Sequence, residues 1–596
     1  MLERSLSYVA NAARAGAFMT GRRVLFGVLF AATIAGSLAL LALALSADGL
    51  GIVDFMILAL FAVTLPWTAA GFSNALIGFI IMRFAADPIA AIFPVAASIR
   101  GNEPITAPTA ILLCIRNELP GRTIRNLEPM LAGLAASGAA ERFHLFVLSD
   151  TDDAGIAPQE EARYDALASQ WRGKIALTYR RRDNNTGYKA GNIRNFCARW
   201  GSDYELAVTL DADSFMPAEA ILRLVRIMQA DPKLGILQGL VVGLPSTSAF
   251  ARIFQFGMRL GMRFYTIGSA WWQGDCGPYW GHNAVLRLAP FIAHCELPVS
   301  KGGHILSHDQ IEAVLMRRAG YDVRVLPEDE LGWEENPPTL IEFIRRDLRW
   351  CQGNMQYWRF LLMPGLKPVS RYQLAIAIVM FIGSPAWMGM LVVGALSVAF
   401  ADTSDGFMRA DVGMVLFILV LVMWFSPKIA TAFDILLRPK VLREFGGAPR
   451  FIANFVIETI YSILLCPIMW FGHTIFLCGL LFGREIGWIG QTRDDHAVPF
   501  ALALRNLWPH TLLGWGVIAL LAMTHPAAIP YALFLAAGPA LAIPLAVLTA
   551  LPAVGKTFAR LGIGRLPEET TQPAALSTLA VPAIEIAARL PRSHAA

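Results

Sequence analysis

Two stretches near the start of this sequence are apolar for longer than a soluble fold tolerates. Val24 to Ala47, and then about Ile52 to Met82, each carry enough apolar residues to cross a bilayer. From about Pro104 to Pro364 the apolar runs shorten to strand length and alternate with amphipathic segments. Long apolar runs then return at about 372–400, 412–437, 451–482, 508–524 and 527–551. In lipid every backbone N–H and C=O must bond within its own segment, so these runs are read as helices. Composition agrees: 16% of the 596 residues are charged and 55% are hydrophobic, where a soluble domain carries about a quarter charged. The net charge of +5 makes no case for nucleic acid. Seven cysteines are scattered without a CxxC pair, which fits a reducing compartment and neither a zinc site nor a disulfide framework.

Charge fixes the expected topology. Arg4, Arg14, Arg22 and Arg23 precede the first run and place the N-terminus in the cytoplasm. That run exceeds a signal-peptide core and a second span follows it, so two crossings return the chain to the cytoplasm at Arg83. Arg438, Lys440, Arg443 and Arg450 mark one cytoplasmic loop; Lys556, Arg560 and Arg565 mark a cytoplasmic tail. An even number of crossings must lie between them. The run 451–482 is too long for one span, contains Pro467, and carries Glu458 and His473. It reads as a hairpin or re-entrant element, leaving Gly483 to Asn506 cytoplasmic. The expected units are residues 1–104 with two spans, a catalytic domain over 105–364, a bundle over 365–566 with a gating-type loop near 483–506, and a disordered tail over 567–596.

The soluble stretch reads as strands at Thr109–Ile115, Phe143–Ser149, Lys174–Tyr179, the run within Glu205–Ser214 and Leu234–Gly239, separated by helices. Such alternation implies a mostly parallel sheet with helices on both faces, and ligands gather at the carboxyl ends of its strands. The run Glu205 to Ser214 ends in Asp211 and Asp213, which share one side of extended backbone. Two adjacent carboxylates repel unless a cation or a hydroxyl-rich ligand sits between them. Hard oxygen donors favour Mg2+ or Mn2+ shared with substrate phosphates, and a surface turn with a helix-capping Asp is the plainer alternative. Asp150 ends its own strand. Ser307-His308-Asp309 opens a helix, where Asp309 either caps it or serves as a general base. His304 and His308 stand i, i+4, but nothing else there suggests zinc. Ala249–Ser269 and Ile341–Leu362 are basic, aromatic helices suited to a membrane surface. On the second, Arg346, Arg349 and Trp350 share a face. A cationic fork matches a diphosphate and an indole can stack on a sugar; a helix resting on lipid headgroups has the same composition.

Taken in order, Asp150, Asp211-Ala212-Asp213, Asp309 and Arg346-x-x-Arg349-Trp350 resemble the processive membrane glycosyltransferases of family 2, the group that includes cellulose synthase. The pattern there is an aspartate, DxD, a TED-type triplet and QxxRW. This chain has Ser-His-Asp for the triplet and arginine for the glutamine. With Tyr279-Trp280-Gly281-His282-Asn283-Ala284 and Arg349-Trp350-Cys351-Gln352-Gly353-Asn354, the departures are most similar to synthases of osmoregulated periplasmic glucans. The resemblance covers about residues 105–500. It implies a cytoplasmic domain of the glycosyltransferase-A type joined to an α-helical transmembrane bundle in the inner membrane. Asp150 and Asp211 would hold UDP, with Lys189 on the donor side, and Asp213 with Asp211 would hold Mg2+ or Mn2+. Asp309 would deprotonate the acceptor hydroxyl, and Arg346 and Arg349 would neutralise the leaving diphosphate. Trp350, His282 and Asn283 would face the acceptor, and Trp488, Gln491 and Arg493 would gate the donor site. The implied partners are UDP-glucose, a growing β-1,2-glucan, membrane lipids and a periplasmic glucan-processing protein. Another polysaccharide synthase of the cellulose or mannan type, or a non-catalytic transporter or scaffold, are the alternatives.

Overall fold

The computed structural model describes residues 2–47, 49–297, 304–400, 408–487, 492–577 and 579, with side chains from Met19 onward. Its centre is a seven-stranded sheet ordered β3-β2-β1-β4-β8-β6-β9. The strands are β1 (Thr109–Ile115), β2 (Phe143–Ser149), β3 (Ala176–Arg181), β4 (Leu206–Asp211), β6 (Leu234–Gly239), β8 (Ala284–Arg287) and β9 (Asp322–Leu326). β1 and β4 are apolar throughout their middles because helices cover both faces. All neighbours pair in parallel except β8, which runs antiparallel between β4 and β6. Four residues long, β8 carries no periodicity of its own, so the sequence reading passed over it. β3 begins two residues later than expected and runs to Arg181.

Register decides where the chemistry gathers. Cys114 of β1 lies beside Asp211 of β4, and Ile115 lies beside Ser149 of β2. The Asp150 amide donates to the Ile115 carbonyl (2.9 Å), which fixes Asp150 at the same edge. Just beyond this edge stands a small sheet, β5-β10-β7. β5 (Ser214–Phe215) follows Asp213 directly, and β10 (Trp333–Glu334) pairs with both β5 and β7 (Val242–Gly243).

Among the described residues six helices are long and apolar enough to cross a membrane: Met19–Leu45, Ile52–Phe84, Pro368–Phe400, Ala410–Leu436, Ala448–Leu481 and Phe500–Thr524. A bent pair, Pro526–Ala540 and Ala542–Thr549, meets at 53°. The expected hairpin over 451–482 is corrected: Ala448–Leu481 is one continuous helix with Pro467 inside it. Its contacts show how it lies. Asn454 donates to the Gly562 carbonyl (2.9 Å), and Phe451 and Tyr461 pack against Phe256 and Phe250 of the helix Ala249–Gln273. Near its other end His473 bonds Asp347 of the helix Leu340–Met355. The chain beyond then reaches Gln352, through the Ile486 amide (2.7 Å). Contacts to helices of the α/β side therefore lie near both ends, while between them Trp470 packs on Trp387 and Trp424 inside the bundle.

The tail also departs from expectation. Residues 567–577, expected to be disordered, pack on the small sheet, while 580–596 lie outside the described residues. Glu568 accepts from Arg259 and from the Trp333 indole (3.4 Å), Glu569 from Arg252 (2.9 Å). Leu576 is buried against Phe215, Val242 and Trp333. Apolar anchors and buried acid–base pairs here offset the composition that reads as disorder.

If both ends of Ala448–Leu481 lie on the side of the α/β domain, single cysteines at Glu485 and Lys556 in a cysteine-free background label from the same side as one at Arg172. Labelling of Glu485→Cys from the opposite side would show that the helix crosses.

Candidate active site

A cavity of about 220 Å3 opens at the carboxyl edge of the sheet. Asp150, Lys189, Asp211, Asp213, His282, Asp309, Arg346, Arg349, Trp350 and Arg493 all line it. They come from strand ends, two helix starts, a loop and the membrane-side helix, so only the folded chain brings them together.

Each carboxylate meets a different cation. Asp150 accepts two bonds from Arg182, Nε to Oδ1 at 2.7 Å and Nη2 to Oδ2 at 2.6 Å. The Asn185 side chain donates to the Asp150 carbonyl (2.7 Å). Lys189, in the first turn of the helix Tyr188–Trp200, donates to Asp211 and to the Gly281 carbonyl (2.7 Å). Burial opposes ionisation of Asp211, but Lys189, His282 and Arg493 outweigh it and hold the carboxyl below the usual carboxylate range. Burial likewise opposes the Lys189 charge, and Asp211 raises its pKa regardless. Asp213 bonds Arg493, which also donates to Glu118 Oε1 (3.0 Å). The loop carrying Arg493 is further docked by Arg122 on Asp494 and Thr247 on Asp495.

Asp309 is different. It is the first residue of the helix Asp309–Arg318 and makes no ion pair among the described residues. Burial raises its pKa, with His308 pulling the other way. Beside it, His308 Nδ1 lies 3.0 Å from Glu312 Oε2; burial lowers the His308 pKa and Glu312 more than restores it. Gly281 sits against the Asp309 side chain at φ 84°, where a Cβ would come within 3.4 Å of the Asp309 Cβ. Glycine meets both the left-handed backbone and the close approach.

Arg346 is buried, its guanidinium 4.7 Å from the centre of the Trp350 ring, and donates to Asn336 (3.3 Å). Burial lowers the pKa of both Arg346 and Arg349. Trp350 is 43% exposed. His282 Nε2 lies 3.6 Å from Glu334. Asn283 does not line the cavity. Its amide donates to the Thr209 carbonyl (2.7 Å) at φ 51°, turning the chain into β8. Trp488 and Gln491 lie outside the described residues.

The sequence is similar to known families along most of its length. Residues 111–294 match glycosyl transferase family 2, and residues 206–474 match glycosyl transferase family group 2. Glucans biosynthesis glucosyltransferase H of Vibrio cholerae is 35% identical over 553 residues, covering 88% of this chain and 74% of that one. The chain belongs to that glucosyltransferase H family. The enzyme of the same description from Pseudomonas paraeruginosa is 34% identical over 543 residues, and there the chain spans 62% of its relative's length. A mannosyltransferase of Pyrobaculum calidifontis, solved with GDP-Man and Mn2+, aligns over 63% of this chain with a TM-score of 0.38 and 14% identity. That likeness is too distant to argue from.

Members of a glycosyltransferase family present acids in sequence, and acids were found by motif. The partners were not. Arg182, Glu118 and Glu334 went unremarked, although Arg180-Arg181-Arg182 at the end of β3 is a cationic run at the edge where Asp150 stands. Gln238 was missed too; it holds the 280–283 loop by accepting from the Trp280 amide (2.8 Å) and donating to the His282 carbonyl (2.9 Å).

Breaking a buried pair costs about 3–5 kcal/mol, because the remaining charge is left unpaired. Arg182→Ala should therefore lower the thermal midpoint of the detergent-solubilised protein more than Arg182→Lys. Equal midpoints for the two would show that Asp150 is solvated without its arginine.

Proposed function

We propose that this chain is an inverting, processive glucosyltransferase. It takes UDP-glucose on the cytoplasmic side of the inner membrane and extends the β-1,2-linked backbone of osmoregulated periplasmic glucans. The observation that supports it best is the meeting in one cavity of three sets of groups: the strand-end acids Asp150, Asp211 and Asp213, the unpaired acid Asp309, and Arg346, Arg349 and Trp350. A scaffold has no use for that convergence.

Asp150, steadied by Arg182, faces the nucleoside, and Lys189 holds Asp211 ionised next to the diphosphate. Arg346, Arg349 and Arg493 supply fixed positive charge where the leaving diphosphate gathers negative charge. Asp309 takes the proton from the acceptor hydroxyl as that oxygen attacks the anomeric carbon from the face opposite the diphosphate. One displacement inverts the configuration. Trp350 and His282 hold the acceptor sugar at the membrane end of the cavity, so the product is already seated as the next acceptor. The implied partners are the nucleotide sugar, the growing glucan, the surrounding lipids and a periplasmic protein that processes the chain.

A divalent cation fits the donor set. Among the described residues no cluster of three His, Cys, Asp or Glu side chains stands ready for a metal, but Mg2+ is commonly bound by one or two carboxylates plus substrate phosphates. Asp213, with Asp211, would hold it. When bound it supplies charge neutralisation to the diphosphate. Asp213→Asn should abolish transfer while leaving the protein folded, and wild-type activity in excess EDTA would overturn the assignment.

Membranes given labelled UDP-glucose and Mg2+ should make a polymer whose linkage analysis shows glucose joined 1,2; a different sugar or linkage would reassign the product.

The base can be tested separately. A positioned general base contributes roughly 10²–10⁴-fold in rate, so Asp309→Asn should reduce turnover by about that much and leave UDP affinity nearly unchanged. Since the base must be ionised and burial raises its pKa, wild-type turnover should fall on acidification at a pH above that expected for an exposed aspartate. Near-normal turnover by Asp309→Asn would place the base elsewhere.

A further inference from the structure

On the far side of the helix Leu340–Met355 from the donor lies a second cavity, of about 310 Å3. It is closed by the last turns of Ala448–Leu481, by residues 484–487 and by the start of Phe500–Thr524. Two chemistries line it. Ile344, Leu348, Ile475, Phe476 and Leu507 give it apolar walls. At its rim stand Arg345 and Arg484, with Arg346 and Arg349 shared between this cavity and the donor cavity. The one acid among the lining residues is Glu342, bonded to Arg345 at 2.8 Å. Arg484 makes no ion pair among the described residues. On the floor lies His510, 4% exposed, and Asn506 sits one turn before it.

The place of this cavity narrows the ligand. Leu481, Phe482 and Phe500, close in the chain to lining residues, are 85%, 91% and 63% exposed. In a chain with helices of membrane-spanning length, such exposed apolar residues mark a surface suited to lipid. A soluble anion would gain from the arginines but nothing from the apolar walls. A lipid tail alone would gain from the walls and leave the cations uncompensated.

We propose that this cavity binds an anionic phospholipid from the leaflet on the catalytic side, its phosphate at Arg345 and Arg484 and its headgroup hydroxyls toward Asn506 and His510. The acyl chains leave along Ile475, Phe476 and Leu507. Because Arg349 borders both cavities, an occupied lipid site fixes the far face of the helix whose near face carries Arg346 and Trp350.

The test is retention of phosphatidylglycerol against phosphatidylcholine by the full-length purified protein, read by native mass spectrometry. It needs no assumption about the reaction. Wild type should retain phosphatidylglycerol in preference. Arg345→Gln with Arg484→Gln should lose at least about tenfold of that preference, since each hydrogen bond to a charged group contributes enough for about that factor. Arg484→Gln alone, at an exposed position, should lose part of it and keep the wild-type melting midpoint. Unchanged preference in both variants would overturn the site. Displacement of the lipid by inorganic phosphate would overturn the lipid as its occupant in favour of a soluble anion. In nanodiscs, phosphatidylglycerol should raise polymer synthesis over phosphatidylcholine alone for wild type and not for the double variant. Equal stimulation of the two would overturn the coupling through Arg349.

Discussion

Acids held together in a partly buried cavity repel one another, and the rest of this architecture answers that repulsion. Asp150, Asp211 and Asp213 stand within one carboxyl edge, and each has its own cation: Arg182, Lys189 and Arg493. None of these cations comes from the element that carries its acid. Arg182 follows β3, Lys189 opens a helix, and Arg493 arrives from a loop between membrane helices. The edge is therefore tolerable only when the sheet, its covering helices and the membrane bundle are all in place. Asp309 alone has no such partner, and burial leaves it the weaker acid. Asp211, beside Lys189, is held below the usual carboxylate range while buried Asp309 is pushed above it, a difference made by environment, since both are the same residue type.

The membrane is accordingly part of the site. His473 joins Asp347 on the helix of Arg346 and Trp350 to the bundle, and its other ring nitrogen meets Ser384 of Pro368–Phe400 at 2.9 Å. Three elements thus set the position of a single catalytic-side helix. The tail adds a clamp from behind, because Glu568 and Leu576 press on Trp333, whose neighbour Glu334 faces the cavity. Displacing either support would move side chains that line the cavity without touching them.

What the sequence disclosed follows from range. Strands buried on both faces announce themselves locally, so β1, β2 and β6 were legible to the residue, and strand-end acids were legible with them. Pairing is a long-range fact. Arg493 lies hundreds of residues from Asp213, and no local signal joins them; its place in the site was reached through family resemblance alone. Arg182 was hidden in a run of three arginines that any surface strand end can carry. The helix Ala448–Leu481 failed differently. Length and hydropathy are the same whether a helix crosses a bilayer or skirts it, and only contacts at both ends decide.

The arginine at position 346 shows how a departure from a motif can be read from geometry. Where the related enzymes of the cellulose-synthase group carry glutamine, a neutral side chain can accept as well as donate. Arginine only donates, and it brings a charge that must be matched. Here Asn336 accepts one bond, and Glu334 and Asp213 act on it electrostatically. Its plane also lies over Trp350, a contact glutamine makes without cationic attraction. The guanidinium therefore fixes the orientation of the indole from within the protein. The exposed part of the ring remains for a sugar, whose hydroxyl-poor face stacks on an aromatic surface. The substitution joins two features in one residue, a positive charge in the cavity and a rigid mount for the indole. A neutral replacement at 346 would divide them, leaving the donor side underscreened and the indole free to turn.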